Sequence, residues 1–340
     1  MSVQAGGTDV PEPGEAAVVA AASQWRRFAD PERVRGLGIL LPFIGLFVAL
    51  SIASSAFLTK VNLLEILDQQ SATLVVAAAG TLVLVAGGID LSVGATYFLA
   101  GVVSAHFALT LPAGVAIVLG ILSGTAVGLV NGLVVTVLRV NALITTLATT
   151  FVVSGLASLV TSGNLIVLFN KAAFGSFAQS EFLGVRTSIW IMLIPVIALA
   201  LLLARTKIGR YIYAVGGNAN AARLSGVRVD AVRVVTFVLS GTTAGLAGVI
   251  DTSRVLSAGG ASYNTVQLAF TVIAGVVVGG TSILGGDGAV WRTIVGILFI
   301  ALINNGYILL GLDPLYQQIT VGVLLIAAVS LDVWSRRRRE

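Results

Sequence analysis

The chain has no cysteine, and only one histidine among its 340 residues. The first absence excludes disulfide frameworks, thiol catalysis and cysteine metal sites. The second leaves His106 alone in an apolar segment, where a passive role is far commoner than a ligand or proton relay. Charge is also scarce: 10% of residues are charged and 57% are hydrophobic, against about 25% charged in a soluble domain. Too few charges remain to cover a fold in water, so its main solvent is lipid. No Gly-Lys dipeptide occurs, so the chain holds no phosphate-binding loop of that type. No His, Asp and Glu constellation of the metal or acid–base kind stands out either. A membrane enzyme therefore lacks its catalytic cluster.

What the chain has is long apolar runs. A spanning helix needs about 20 apolar residues. Runs occur at Gly36–Phe57, Gln70–Gly87, Leu91–Leu111, Pro112–Leu138, Ala142–Val160, Thr187–Ala204, Ala231–Asp251, Val266–Ser282, Ala289–Leu310 and Leu315–Val333. They predict an all-α polytopic membrane bundle of about ten transmembrane helices, broken at Gly-rich turns. Residues 1–35 read as a flexible tail, with a short amphipathic turn around Trp25–Phe28. A signal peptide fits poorly, because the following run is too long and too far from the start. Residues 36–334 form the membrane domain, and 335–340 a basic end.

Lysine and arginine set the orientation. With the N-terminus inside and ten alternating spans, the inner side holds Arg26, Arg27, Arg33, Arg35, Arg139, Arg205, Lys207, Arg210, Arg223, Arg228, Arg233, Arg292 and Arg336 to Arg339. The outer side holds Lys60, Lys171, Arg186 and Arg254. Both termini are thus expected in the cytoplasm. The closing arginine run, placed directly after a span, reads as an anchor at lipid headgroups rather than a nucleic-acid patch. Two connections are long: an outer one, Thr161–Arg186, and an inner one, Arg205–Asp230.

Glycine is abundant, with 39 residues. Close packing of helices through small residues explains most of them. It does not explain Gly87-Gly88, Gly279-Gly280 and Gly285-Gly286, each at the inner end of an apolar run. Such breaks survive at membrane depth only where protein or water shields them. In the turn Gly87, Gly88, Ile89, Asp90, Leu91, Ser92, the Asp90 carboxylate either binds an ion or caps the next helix; the cap is preferred. Asp251 and Arg254 close the seventh span and are expected to face water. Neutral polar residues recur inside the spans: Asn131, Asn141, Thr145, Thr146, Thr149, Thr150, Asn304, Asn305 and Gln317. They serve either interhelical hydrogen bonding or a polar path for an uncharged, hydroxyl-rich solute. In the inner connection Asn218 is a good N-cap and Gly226 a good C′ residue. The intervening Ala221, Ala222, Arg223, Leu224 and Ser225 allow two helical turns. That helix either fits a groove on a partner or is a surface turn that touches nothing.

At these residues the sequence resembles the permease subunit of ribose/xylose-type bacterial ABC importers. The match rests on Gly87–Gly94 (GGIDLSVG), Asn131–Leu147 (NGLVVTVLRVNALITTL), the long block Thr206–Ile250 and Val277–Gly306, with the Tyr316–Ile319 region. The resemblance implies a ten-span permease in the bacterial inner membrane, paired with a second copy. It implies a cytoplasmic ATPase that carries the ATP and magnesium, and a periplasmic solute-binding protein. Gly216, Gly217 and Asn218–Gly226 would then be the coupling element that docks in the ATPase. The family usually carries Glu-Leu-Asp where Ala269, Phe270 and Thr271 stand here, and the Gly260–Asn264 loop is also unusual. Branched-chain amino-acid permeases are a related alternative. An ATP-independent channel or secondary transporter is another, which the scarcity of intramembrane charge disfavours.

Overall fold

The computed structural model describes residues 38–259, 265–313 and 315–337. The turn expected at Trp25–Phe28, the loop Gly260–Asn264 and Arg338 and Arg339 lie outside the described residues. The chain folds into helices, in order α1 (Leu40–Ala53), α2 (Lys60–Val85), α3 (Val93–Ala108), α4 (Ala113–Thr136) and α5 (Ala142–Thr161). The outer connection follows, with β1 (Leu165–Val167), α6 (Ala172–Gln179), β2 (Glu181–Phe182) and β3 (Val185–Arg186). Next come α7 (Thr187–Arg205), α8 (Lys207–Gly217), α9 (Ala219–Leu224) and α10 (Val229–Val255). The described chain closes with β4 (Ser257–Gly259), α11 (Thr265–Val278), α12 (Val290–Leu309) and α13 (Leu315–Arg337). Among the described residues six helices have the length and apolarity to cross a membrane, and α1, α3, α11 and part of α13 are shorter apolar helices. An all-α membrane bundle is therefore the architecture, as the apolar runs require.

The centre of the bundle is α2. From Ser71 to Val85 it is apolar on nearly every face, as a helix buried on all sides must be, and it is buried almost without interruption. The second apolar run was expected to begin at Gln70; the helix begins ten residues earlier, at Lys60. The first ten residues hold Lys60, Glu65 and Asp68 and so fall outside the apolar run. Asp68 is instead buried and paired, as described below. Against α2 pack α10, α12, α7 and α11; α3 and α10 are also largely buried, while α4, α5 and α7 show apolar side chains outward, as lipid-facing helices do.

Small residues let these helices approach closely. A Cβ on Gly124 of α4 would lie 2.4 Å from the Gly241 carbonyl of α10. One on Gly248 of α10 would lie 2.0 Å from the Tyr97 carbonyl of α3. The α11–α12 hairpin closes in the same way, with Gly296 against the Gly275 carbonyl at 2.1 Å. At one end of the bundle β1 pairs antiparallel with β4, Leu165 opposite Gly259 and Val167 opposite Ser257. Beside this ribbon α6 is pinned to α10: Ser253 Oγ donates to the Phe174 carbonyl (2.7 Å) and accepts from the Ala178 N–H (3.1 Å). The inner connection is more ordered than a loop. Its first half is α8, capped by Thr206 Oγ1 on the Gly209 N–H at 3.1 Å.

Candidate functional site

Between α2 and α3 the chain leaves helical geometry from Ala86 to Ser92. Gly87, at φ +78°, permits the turn. The 16-residue α3 covers about 24 Å of a hydrocarbon core about 30 Å thick, so the irregular segment supplies the remaining depth. Its freed backbone groups need partners there. Two threonines of α5, one helical turn apart, provide them. Thr146 Oγ1 accepts the Leu91 N–H (3.1 Å) and reaches the Ile89 carbonyl (3.2 Å). Thr150 Oγ1 donates to the Leu91 carbonyl at 3.1 Å.

Asp90 anchors the same segment. Its Oδ1 accepts the Ser92 N–H (2.9 Å) and the Ser92 hydroxyl (2.6 Å), and its Oδ2 accepts the Ser240 hydroxyl of α10 (2.7 Å). The Ser92 hydroxyl oxygen in turn accepts from Asn131 Nδ2 of α4 at 2.8 Å, and Asn131 Oδ1 accepts from Thr149 of α5 at 2.7 Å. One chain of hydrogen bonds thus runs Thr149, Asn131, Ser92, Asp90, Ser240 and ties α5, α4, the break and α10 together. The carboxylate satisfies the residue that opens α3 and also clamps a distant helix. Ser240 and its role were not legible in the sequence, because 150 positions separate it from Asp90.

The remaining polar candidates separate by their partners. Asn141 caps α5 through the Leu143 N–H at 2.9 Å. Asn305 exchanges two side-chain bonds with Asn62 of α2, at 2.8 and 3.2 Å. Gln317 is half-buried on α13. By contrast Asn304 Oδ1 and Thr145 Oγ1 are buried with no hydrogen-bond partner among the described residues, as are Thr96 Oγ1 and Thr281 Oγ1.

A second break joins α11 to α12 over residues 279–289, and the two breaks meet. The Gly286 N–H donates to the Val85 carbonyl at 2.9 Å. The end of α8 is wedged into this meeting point: a Cβ on Gly216 would fall 1.7 Å from the Val85 oxygen and 2.7 Å from the Gly286 nitrogen. Gly87, Gly216, Gly217, Gly285 and Gly286 therefore form one backbone-to-backbone junction. From it the chain passes straight into α9. Asn218 Oδ1 accepts the Ala221 N–H at 2.9 Å, and Gly226, at φ +83°, turns the chain after Ser225. Ala222 is buried, whereas Leu224 is 90% exposed. Arg223 forms an ion pair with Asp230 at the start of α10, at 3.6 Å. A cavity of about 530 Å³ opens beside the first break, with Arg139, Asn141, Arg223, Asp230 and Arg233 among its lining residues.

At the opposite end the structure shows a charged clamp that the sequence did not suggest. Asp68 of α2 is 1% exposed and accepts from Arg186 Nη1 at 2.7 Å. The Ser188 hydroxyl on α7 donates to its other oxygen. Arg186 sits directly before α7 and is 44% exposed, so only one partner of the pair is desolvated. Asp251 and Arg254, expected to face water, bond each other at 2.8 Å and are about four-fifths buried.

A family profile described as branched-chain amino acid transport system / permease component matches residues 62–329. The chain is 38% identical to the ribose import permease protein of Escherichia coli K12 over 86% of its own length and 92% of that protein. It is 39% identical to the ribose import permease protein of Bacillus subtilis, covering 86% of this chain and 91% of the relative. It is 35% identical to the L-arabinose ABC transporter permease protein of Azospirillum brasilense, covering 91% and 93%. No solved structure matches the chain.

Proposed function

This chain belongs to the branched-chain amino acid transport system / permease component family, and from that premise we propose that it is the transmembrane permease subunit of an ABC importer for a monosaccharide. The observation that carries sugar over amino acid is the agreement among near full-length relatives, which are ribose, allose and arabinose permeases. The interior chemistry suits a neutral solute. Its buried polar groups are mostly hydroxyls and amides, and the Asp90 carboxylate is already occupied by three donors. Asn304 and Thr145, whose buried oxygens lack protein partners, are the residues best able to face a solute. Asn131, Asn141, Asn305 and Thr149 are engaged with protein and serve the scaffold instead.

The importer reading brings partners with it. ATP and magnesium belong to a cytoplasmic ABC ATPase; a periplasmic binding protein delivers the solute; a second permease copy completes the path. Nucleic acid has no part in it. The capped helix α9, with Gly216 and Gly217 before it, is the coupling element. Its small residues allow close approach, and its position between α7 and α10 passes a displacement to both spans. The lysine and arginine asymmetry supports a bacterial inner-membrane location with both termini in the cytoplasm. Reporter fusions at Glu340 and within 161–186 should then give opposite readouts.

The decisive experiment is uptake into proteoliposomes holding this permease with its cognate ATPase and binding protein. Labelled ribose, arabinose, allose and leucine are offered in turn. ATP-dependent accumulation of a sugar is expected. Accumulation of leucine alone moves the assignment to the amino-acid branch, and uptake without the ATPase makes the chain a channel or secondary carrier.

A further inference from the structure

The connection between α11 and α12 is built more firmly than a passive turn requires. The Ser282 N–H donates to the Asp287 carbonyl (2.9 Å), the Gly285 N–H to the Ser282 carbonyl (3.3 Å) and the Leu284 N–H to Ser282 Oγ (3.1 Å). Tyr213 of α8 donates to the Gly288 carbonyl at 2.6 Å, and Arg292 pairs with Asp287 at 2.8 Å. With the Gly286 bond to Val85, this holds the turn in one shape. At its tip stands Leu284, 68% exposed. A fixed turn that offers a leucine to solvent is a preorganised contact without a contacting partner.

Its neighbour identifies the partner. A Cβ on Gly286 would lie 3.0 Å from Gly217 Cα, and one on Gly285 would lie 2.9 Å from the Gly216 carbonyl. Gly217 immediately precedes the cap of α9, on which Leu224 is 90% exposed. The two leucines therefore flank one rigid junction. The cations around it, Arg139, Arg223, Arg233 and Arg292, outnumber the carboxylates Asp230 and Asp287, each of which is already paired with an arginine. A surface that complements it would carry apolar pockets and an acidic rim.

We propose that the turn 281–286 is a second docking element for the cytoplasmic ATPase, with Leu284 as its anchor beside α9. This rests on the importer reading above. It gives the junction a purpose: the ATPase would grip α9 and the second break together. Movement of the ATPase would then reach α12 directly as well as α7 and α10. Anionic lipid is the competing occupant. It needs no preorganised turn, and Leu284 lies at the midpoint of its connection rather than on a helix flank.

The absence of native cysteine makes the test clean. Leu284→Cys, Leu224→Cys and, at the opposite end, Phe169→Cys are each placed in lipid nanodiscs and labelled with a membrane-impermeant maleimide, with and without the ATPase subunit. The proposal expects labelling at 224 and 284 to fall together when the ATPase is added, with 169 unchanged. Leu284→Ser should weaken ATPase binding by about tenfold, as expected for a lost buried leucine contact. Protection at 224 with full labelling at 284 overturns the second contact and leaves the importer reading standing. Protection at 284 before the ATPase is added assigns the turn to lipid and also overturns it. Protection at neither position removes the coupling assignment of α9, and this proposal with it.

Discussion

Replacing Gly216 by alanine is the sharpest perturbation the structure offers. The new methyl would sit 1.7 Å from the Val85 oxygen and 2.7 Å from the Gly286 nitrogen, where real Cβ contacts stay beyond 3.0 Å. Both neighbours are backbone, so no side chain can rotate away. Either α8 or the end of α2 must retreat by more than an ångström. That retreat breaks the 2.9 Å bond between Gly286 and Val85. Overpacking of this kind costs about 1–3 kcal/mol, and a buried group left unpaired adds about 1–3 kcal/mol. A loss of about 2–6 kcal/mol is expected, which for a chain of this size lowers the melting temperature by roughly 3–8 °C. Gly217→Ala is the matched control, since its Cβ meets nothing within 4 Å. It should be neutral, or gain up to about 1 kcal/mol from helix propensity. Thermal unfolding of the detergent-solubilised permease reads the stability. Stimulation of ATPase activity by loaded binding protein reads the coupling. Equal melting of the two variants, or normal stimulation in Gly216→Ala, would refute the claim that the junction is tight and joins the coupling helix to both breaks.

Three further outcomes follow from the hydrogen-bond geometry. Asp90→Asn keeps one acceptor oxygen, whereas Asp90→Leu strands Ser92 and Ser240 at about 1–3 kcal/mol per orphan; the leucine variant should lose more thermal stability, and equal losses would show that charge itself matters. Thr146→Val and Thr150→Val remove the partners of the break and should each speed amide exchange at Leu91 and its neighbours by about tenfold or more, while Thr146→Ser should restore protection. If both valine variants leave exchange unchanged, α5 does not hold the break. Arg186→Met strands a buried carboxylate and should cost about 3–5 kcal/mol, whereas Asp68→Asn, with Arg186 half in solvent, should cost clearly less; the reverse order in thermal melts would mean that Asp68 is not held as a charged partner.

Ten apolar stretches, the break at Gly87–Ser92 and the caps of α9 were all legible in the sequence, because each depends on composition or on residues near one another along the chain. A run of leucine, valine and alanine has only lipid or a buried core as its solvent, and Gly-Gly followed by Asp and Ser can only interrupt a helix. Asn218 and Gly226 end their helix for reasons contained within nine residues. Misreadings fell where charge acts at a distance. Lys60–Gln69 lies outside the apolar run because it holds Lys60, Glu65 and Asp68, and Asp68 joins the core only when Arg186, 118 positions away, is brought against it. The polar residues of the spans divided in the same way. Sequence named Asn131, Thr149, Asn304 and Thr145 together, because residue type cannot tell a satisfied hydroxyl or amide from a vacant one.

By itself, then, the sequence determined that this chain is an all-α membrane bundle and that its backbone breaks at Gly87–Ser92, since burial in lipid and backbone satisfaction are demands each segment meets locally. Only the tertiary structure decided which polar groups are consumed in holding the fold. It alone brought Ser240 to Asp90 and closed Gly216 onto Val85 and Gly286. A hydrogen bond or a van der Waals clash needs two atoms within a few ångströms, and no spacing along the chain specifies which distant pair will meet.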